Sequence, residues 1–171
     1  MRIASVTSSE RGQVDKVLAT VAAALMAEGL RVAGVVQTNI DRPGSNHCDM
    51  DVMVLPEGPV IRINQELGES ARGCRLDPGA LETAVANVEA GFSGETDILI
   101  INKFGKHEGE GRGFRALIAE ALSRGIPVLT GVNMLNRDAF ATFADGLAQP
   151  LSAEPAAILA WCRANILTPT F

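Results

Sequence analysis

The sequence predicts a three-layer α/β/α domain spanning residues 1–171 as one unit, with a mostly parallel sheet and an inserted antiparallel hairpin. Two patterns carry that expectation. Short apolar runs rich in Val and Ile, at 3–6, 32–36, 98–101 and 128–132, are bounded by polar or turn residues, as strands covered on both faces require. Stretches with helical spacing lie between them, and such alternation builds a parallel sheet between helix layers. The chain has 171 residues, 47% of them hydrophobic, enough for one sizeable core.

The elements follow in order. After the first run, Val14, Val17, Leu18, Val21 and Leu25 share one helix face, and Gly29 supplies the stop. DMDVMVLPEGPVIRINQEL, at 49–67, alternates about the turn from Pro56 to Pro59 and reads as an antiparallel hairpin placed between the second strand and the second helix. Asp77 and Pro78 suit the cap and first turn of that helix, which carries Leu81, Val85 and Val88 inward. Phe114, Leu117, Ile118, Ala121 and Leu122 mark a third helix, ended by Gly125 and Pro127. Two more follow near 137–147 and 154–166, and 42–46 and 68–73 read as surface loops.

Composition narrows the function classes. A formal net charge of −5 with no basic run argues against a nucleic-acid partner, whose phosphates need clustered Lys and Arg. No run reaches the roughly 18 apolar residues of a membrane span, and the first residues lack a signal pattern, so the expectation is a cytoplasmic protein with no membrane partner. Three cysteines, at 48, 74 and 162, make no disulfide framework and fit a reducing compartment. Cys162, beside Trp161, reads as core packing.

The stretch TSSERGQVDKVL, from Thr7 to Leu18, stands where a strand turns into a helix. A phosphate-binding loop of the form G-x-x-x-x-G-K-[ST] uses glycines to curl backbone N–H groups around phosphate, a Lys to reach the terminal phosphates and a hydroxyl to hold magnesium. With its second glycine at Gly12, this chain has Thr7, Gln13 and Val14 at the other three positions, a degenerate version of the motif. The strand, polar loop, glycine and helix remain, and a helix N-terminus favours an anion. Ser8, Ser9, Arg11, Gly12, Gln13 and Val14 are therefore candidate anion-binding residues, and Lys16, one turn on, is a candidate substitute cation. The plainer reading is an ordinary strand-to-helix turn with solvated charges.

DILIINKFGKHEGEGRGFRALI, from Asp97 to Ile118, is the second informative stretch. Its buried strand ends at Asn102, and the carboxyl ends of strands are where open α/β sheets bind ligands. Asn102, Lys103 and Lys106 join the candidate binding residues. A magnesium-dependent phosphohydrolase needs Asp at that tip to grip the metal, and Asn cannot replace its charge. Glu108 is the candidate general base or water-positioning group, against the alternative of a solvated loop acid. Glycines at 105, 109, 111 and 113 fit a mobile loop or one closely approaching a ligand.

A third group is NHCDMD with RGCRLD, in which His47, Cys48, Asp49 and Cys74 are candidate metal ligands. No C-x-x-C or H-x-x-x-H pair is present, so such a site would assemble from separate loops, and Arg72 and Arg75 could equally bind an anion.

Taken together, Cys48-Asp49-Met50-Asp51, Gln65 with Leu67-Gly68, Gly73 to Asp77, and Asn102 to Lys106 with Glu108 resemble an uncharacterised bacterial family, a domain of unknown function, over nearly the whole chain. More remotely, the layout is similar to P-loop nucleoside triphosphatases and to the molybdopterin-guanine dinucleotide biosynthesis B proteins. The resemblance implies a P-loop-like fold and a link to molybdenum or nitrogen metabolism. The departures at Gln13, Val14 and Asn102 mean that hydrolysis does not carry over.

Three functions remain open on the sequence. The first is an accessory or regulatory protein binding a nucleotide, ATP or GTP, or a phosphate, sulfate or molybdate-type anion. The second is a divergent magnesium-dependent nucleoside triphosphatase using Glu108. The third is a metal- or molybdate-handling module on Cys48, Cys74 and His47. The hairpin edge also suits pairing with a second copy, as a homodimer.

Overall fold

A computed structural model describes residues 1–44, 48–65 and 75–166. Seven strands form one sheet: β1 Ile3–Val6, β2 Val32–Asp41, β3 Cys48–Val54, β4 Val60–Arg62, β5 Ile98–Ile101, β6 Val128–Gly131 and β7 Gln149–Leu151. Their order is β4-β3-β2-β5-β6-β1-β7. The five strands from β2 to β7 in that order pair in parallel, while β3 and β4 are antiparallel additions beyond β2. The inserted hairpin and the parallel sheet both match the sequence expectation.

The helices are α1 Gln13–Ala27, α2 Pro78–Gly91, α3 Lys106–Gly109, α4 Arg115–Ser123, α5 Arg137–Phe143 and α6 Pro155–Ile166. Two hydrophobic clusters lie on opposite faces of the sheet. One joins Leu18, Val21 and Leu25 of α1 with Ile158, Trp161 and Cys162 of α6; the other joins α2, α4 and Phe140 of α5. All four residues of β5 and of β6 are buried, because helices cover both sides. Each fully buried leucine or isoleucine contributes roughly 1.5–3 kcal/mol. Burial also pushes the Cys162 thiol up to about 12 and leaves it as packing.

Local signals fall where the residues place them. Asp77 caps α2 by accepting from the Gly79 and Ala80 amides at 2.9 and 3.3 Å, with Pro78 in the first turn. Gly29 (φ 84°) and Gly125 (φ 74°) take the left-handed conformation beyond α1 and α4. Two short elements differ from expectation. β7 carries Pro150 and pairs only with β1, at an edge where a missing N–H is tolerated. α3 lies inside the stretch read as a glycine-rich loop, since four residues are too few to show a helical period.

The tightest backbone approach is at Gly34 in β2. Its φ is 120°, and a Cβ there would stand 1.8 Å from the Ile100 carbonyl oxygen on β5. Gly91, the last residue of α2, has open space around its missing Cβ. In urea denaturation Gly34→Ala is expected to cost about 3 kcal/mol or more, through overpacking and backbone strain. Gly91→Ala is expected to be neutral or to stabilise by up to about 1 kcal/mol.

Candidate functional site

The carboxyl ends of β1, β2, β5 and β6 open into a cleft of about 320 Å³ at the N-terminus of α1. Gly12 is the N-cap, with φ 77° and open space within 4 Å of a missing Cβ. Among the described residues no side chain caps this first turn. The loop holds its shape from within: the Glu10 amide donates to Ser8 Oγ at 3.0 Å, and the Ser8 hydroxyl donates to Gln13 Oε1. An α-helix leaves its first amides without helical partners, and its dipole places about half a positive charge there.

Four polar side chains close the cleft floor. Asn102, 4% exposed at the tip of β5, donates through Nδ2 to Asp15 Oδ1 at 2.8 Å and accepts the Gln37 amide on Oδ1 at 3.0 Å. Asn39 Nδ2 donates to the other Asp15 oxygen at 2.7 Å, and Gln37 Nε2 donates to Asn39 Oδ1 at 2.8 Å. The network ties the first turn of α1 to the ends of β2 and β5. Gly131 at the end of β6 is equally constrained, because a Cβ there would come within 2.3 Å of the Asn102 carbonyl and 2.7 Å of Val14 Cγ1. Val14 thus packs where a magnesium-binding loop would present a hydroxyl.

This donor set fits an anion better than a magnesium ion. Val14 offers no oxygen, Asn102 offers no charge, and both Asp15 oxygens already accept amide hydrogens. The charged residues lining the cleft are Arg11 and Lys103 against Glu10 and Asp15. Among these described lining residues formal charge cancels, and the helix terminus adds about half a positive charge.

The expected binding residues divide. Ser8, Arg11, Gly12, Val14, Asn102 and Lys103 line the cleft, while Ser9, Gln13 and Lys16 lie outside its lining. Lys16 is exposed along α1. Lys106 faces a second cleft and stands 3.8 Å from Glu110. Sequence reasoning passed over Asp15, Gln37, Asn39 and the Gly131–Asn133 segment. The polar residues following each parallel strand were the available signal.

Glu108 occupies a different place from that of a water-positioning base. It is 3% exposed, and its carboxylate accepts the Gly105 amide at 3.0 Å and the Phe114 amide at 3.3 Å. Gly113, at φ 61°, lets this happen, since a Cβ there would lie 2.4 Å from Glu108 Oε1. Gly113 thus admits the chain's own carboxylate, whereas a Cβ at 105 would make only an ordinary contact with it at 3.5 Å. Burial raises the Glu108 pKa, and the Gly105 and Phe114 amides oppose the shift.

The metal reading loses its one fully described ligand. Asp49 Oδ1 accepts from Arg42 Nε at 3.0 Å and Asn64 Nδ2 at 3.3 Å, and Oδ2 lies 3.4 Å from Arg62. The Arg42 hydrogen bonds chiefly hold its carboxyl below the usual range, and two guanidinium groups repel a cation. Cys48 begins β3, and His47 and Cys74 lie outside the described residues.

Two predictions follow from these contacts. Asn102→Asp puts a second carboxylate about 2.8 Å from Asp15 Oδ1. The melting temperature of that variant is expected to fall in EDTA and to recover with magnesium, whereas the parent chain responds to neither. Glu108 has a raised folded pKa, so its unfolded form loses the proton first as pH climbs above 4.5. Urea titrations are expected to show the parent chain losing stability relative to Glu108→Gln as pH rises from 4.5 through that raised value.

Comparison with known proteins bears on the fold. A solution structure of a human cancer-related nucleoside triphosphatase superposes with a TM-score of 0.64 at 13% identity, covering 96% of this chain and 95% of that one. The crystal structure of THEP1 from the hyperthermophile Aquifex aeolicus superposes with a TM-score of 0.61 at 11% identity, covering 95% of each. The fold is that of the P-loop nucleoside triphosphatases. The molybdenum import ATP-binding protein ModC 2 of Bradyrhizobium diazoefficiens is 36% identical over 162 residues, 95% of this chain. The chain spans only 18% of that relative's length. Residues 3–161 match one family along almost their whole extent, and the chain belongs to that family, described as "Protein of unknown function (DUF2478)".

Proposed function

We propose that this chain binds a nucleotide, ATP or GTP, or a small oxyanion such as phosphate, sulfate or molybdate, through a degenerate phosphate-binding loop. The role is accessory or regulatory, with weak or no hydrolysis. One observation carries the reading: the N-cap of α1 at Gly12 is left-handed, uncapped by described side chains and open to a cleft that Arg11 and Lys103 line. Backbone amides between Ser8 and Gln13 would receive the anion, those of Glu10 and Gln13 giving up their bonds to Ser8 Oγ and the Glu10 carbonyl, and the two cations would offset its charge. The volume of about 320 Å³ lies at the lower end of ligand sites, which suits a phosphate chain or a single oxyanion.

The name of the ATP-binding relative supports the nucleotide side of the proposal and its molybdenum side. A cytoplasmic setting follows from a net charge of −5 and three cysteines without a framework, and no described helix is long and apolar enough to cross a membrane. Edge strand β4, with Val60 63% exposed, supports a homodimer. The engaged Glu108 carboxylate argues against a hydrolase, and a magnesium-supported phosphate release lost in Glu108→Ala would replace the present reading with that one.

The deciding experiment is calorimetric titration with phosphate, tripolyphosphate, ATP, GTP and molybdate. Binding of at least one is expected, and magnesium should not strengthen it. Gln13 already reaches Ser8 at the cleft edge, so Gln13→Lys places an ammonium beside the bound charge. A charge-assisted contact of roughly 1.5–3 kcal/mol predicts tripolyphosphate binding about tenfold tighter or more. No binding by any anion, in either chain, rules the proposal out.

A further inference from the structure

A second cleft, of about 630 Å³, adjoins the first and shares Gln37, Asn102, Lys103 and Asn133 with it. Its character is different. The floor is apolar, built from Val52 and Ile63 of the hairpin region, Leu81 of α2 and Phe114 before α4. These residues belong to the main core, each less than 8% exposed, so the cleft is an opening into the core itself. Cations stand at the rim: Lys103 and Lys106 are both exposed and both line the cleft. Among the described residues the lining holds one carboxylate, Glu108, which is turned to the Gly105 and Phe114 amides, while Lys106 also stands 3.8 Å from Glu110 outside the lining.

A further observation points to an occupant. Leu135, in the 3-10 turn Met134–Asn136, is 93% exposed at the mouth, and the neighbouring Met134 is 71% exposed. The Asn133 side chain anchors this turn, accepting the Asn136 amide at 3.1 Å. An anchored turn that holds Leu135 exposed at an apolar opening leaves apolar surface that a ligand in the cleft would bury. The volume falls in the middle of the range for small-molecule sites, which are mostly apolar with a few polar groups fixing orientation.

We infer that this second cleft is a binding site for a small organic acid: a molecule with an apolar body against Val52, Ile63, Leu81 and Phe114, and one anionic group at Lys103 and Lys106. Leu135 covers the apolar body. The site shares Lys103 with the first cleft, but its apolar floor and Lys106 are its own, so it does not require the anion reading there.

Anilinonaphthalene sulfonate, an apolar body carrying one sulfonate, is the probe. Fluorescence titration of the full chain is expected to show saturable binding at a single site. Leu135→Asp should weaken it about tenfold, by removing apolar cover and adding a like charge. Lys106→Glu should weaken it up to about fivefold. Both side chains are exposed, so neither change disturbs packing, and circular dichroism checks this. Dye binding that fails to saturate, or an affinity unchanged in either variant, overturns the inference. A separate tripolyphosphate titration of Leu135→Asp reads the first cleft alone and should match the parent chain.

Discussion

The contact between Asp15 and Asn102 organises the site. It joins the first turn of α1 to the buried tip of β5 and, through Gln37 and Asn39, to the end of β2. A carboxylate between two amide groups is stable without any metal, whereas two carboxylates at that distance repel unless a cation lies between them. Replacing acid by amide at the strand tip therefore changes the charge logic of the whole cleft. Positive charge at the cleft is left to backbone dipoles and to two peripheral side chains, Arg11 and Lys103.

The segment from Gly105 to Phe114 shows the same economy in a different form. A glutamate buried among backbone amides tolerates its raised pKa because it fastens a turn that would otherwise leave amide groups unpaired. Phe104, fully buried against Phe140 and Phe143 at ring separations of 5.2 Å, holds the start of that segment to α5. What looks like loop flexibility in a run of glycines is a compact knot, with room cleared for one side chain. Rigidity here also fixes the backbone around Lys103 between the two clefts.

Much of the architecture was legible in the residues. Continuous Val and Ile runs gave the parallel strands, because helices on both faces leave no polar side to a strand. Asp77 with Pro78, Gly29 and Gly125 marked helix ends through local backbone chemistry alone. Strand β7 escaped, since three residues containing a proline carry no period. The cleft at the start of α1 was half legible: Gly12 and Asn102 follow from strand-end reasoning, while Asp15 looked like an ordinary first-turn acid until its partners from β2 and β5 came into view. Glu108 was misplaced for a physical reason. Charge in a glycine-rich stretch suggests solvent exposure, and only the three-dimensional path shows amides converging on it.

Lys103 borders both clefts, so two anionic ligands, if each opening takes one, would share its charge. For two anionic ligands, the one that arrives first draws on the shared ammonium and leaves less attraction for the other. Thermodynamic reciprocity makes the penalty the same whichever ligand is bound first. A single elongated ligand spanning both openings would escape that antagonism, with one negative group neutralised where the cavities meet.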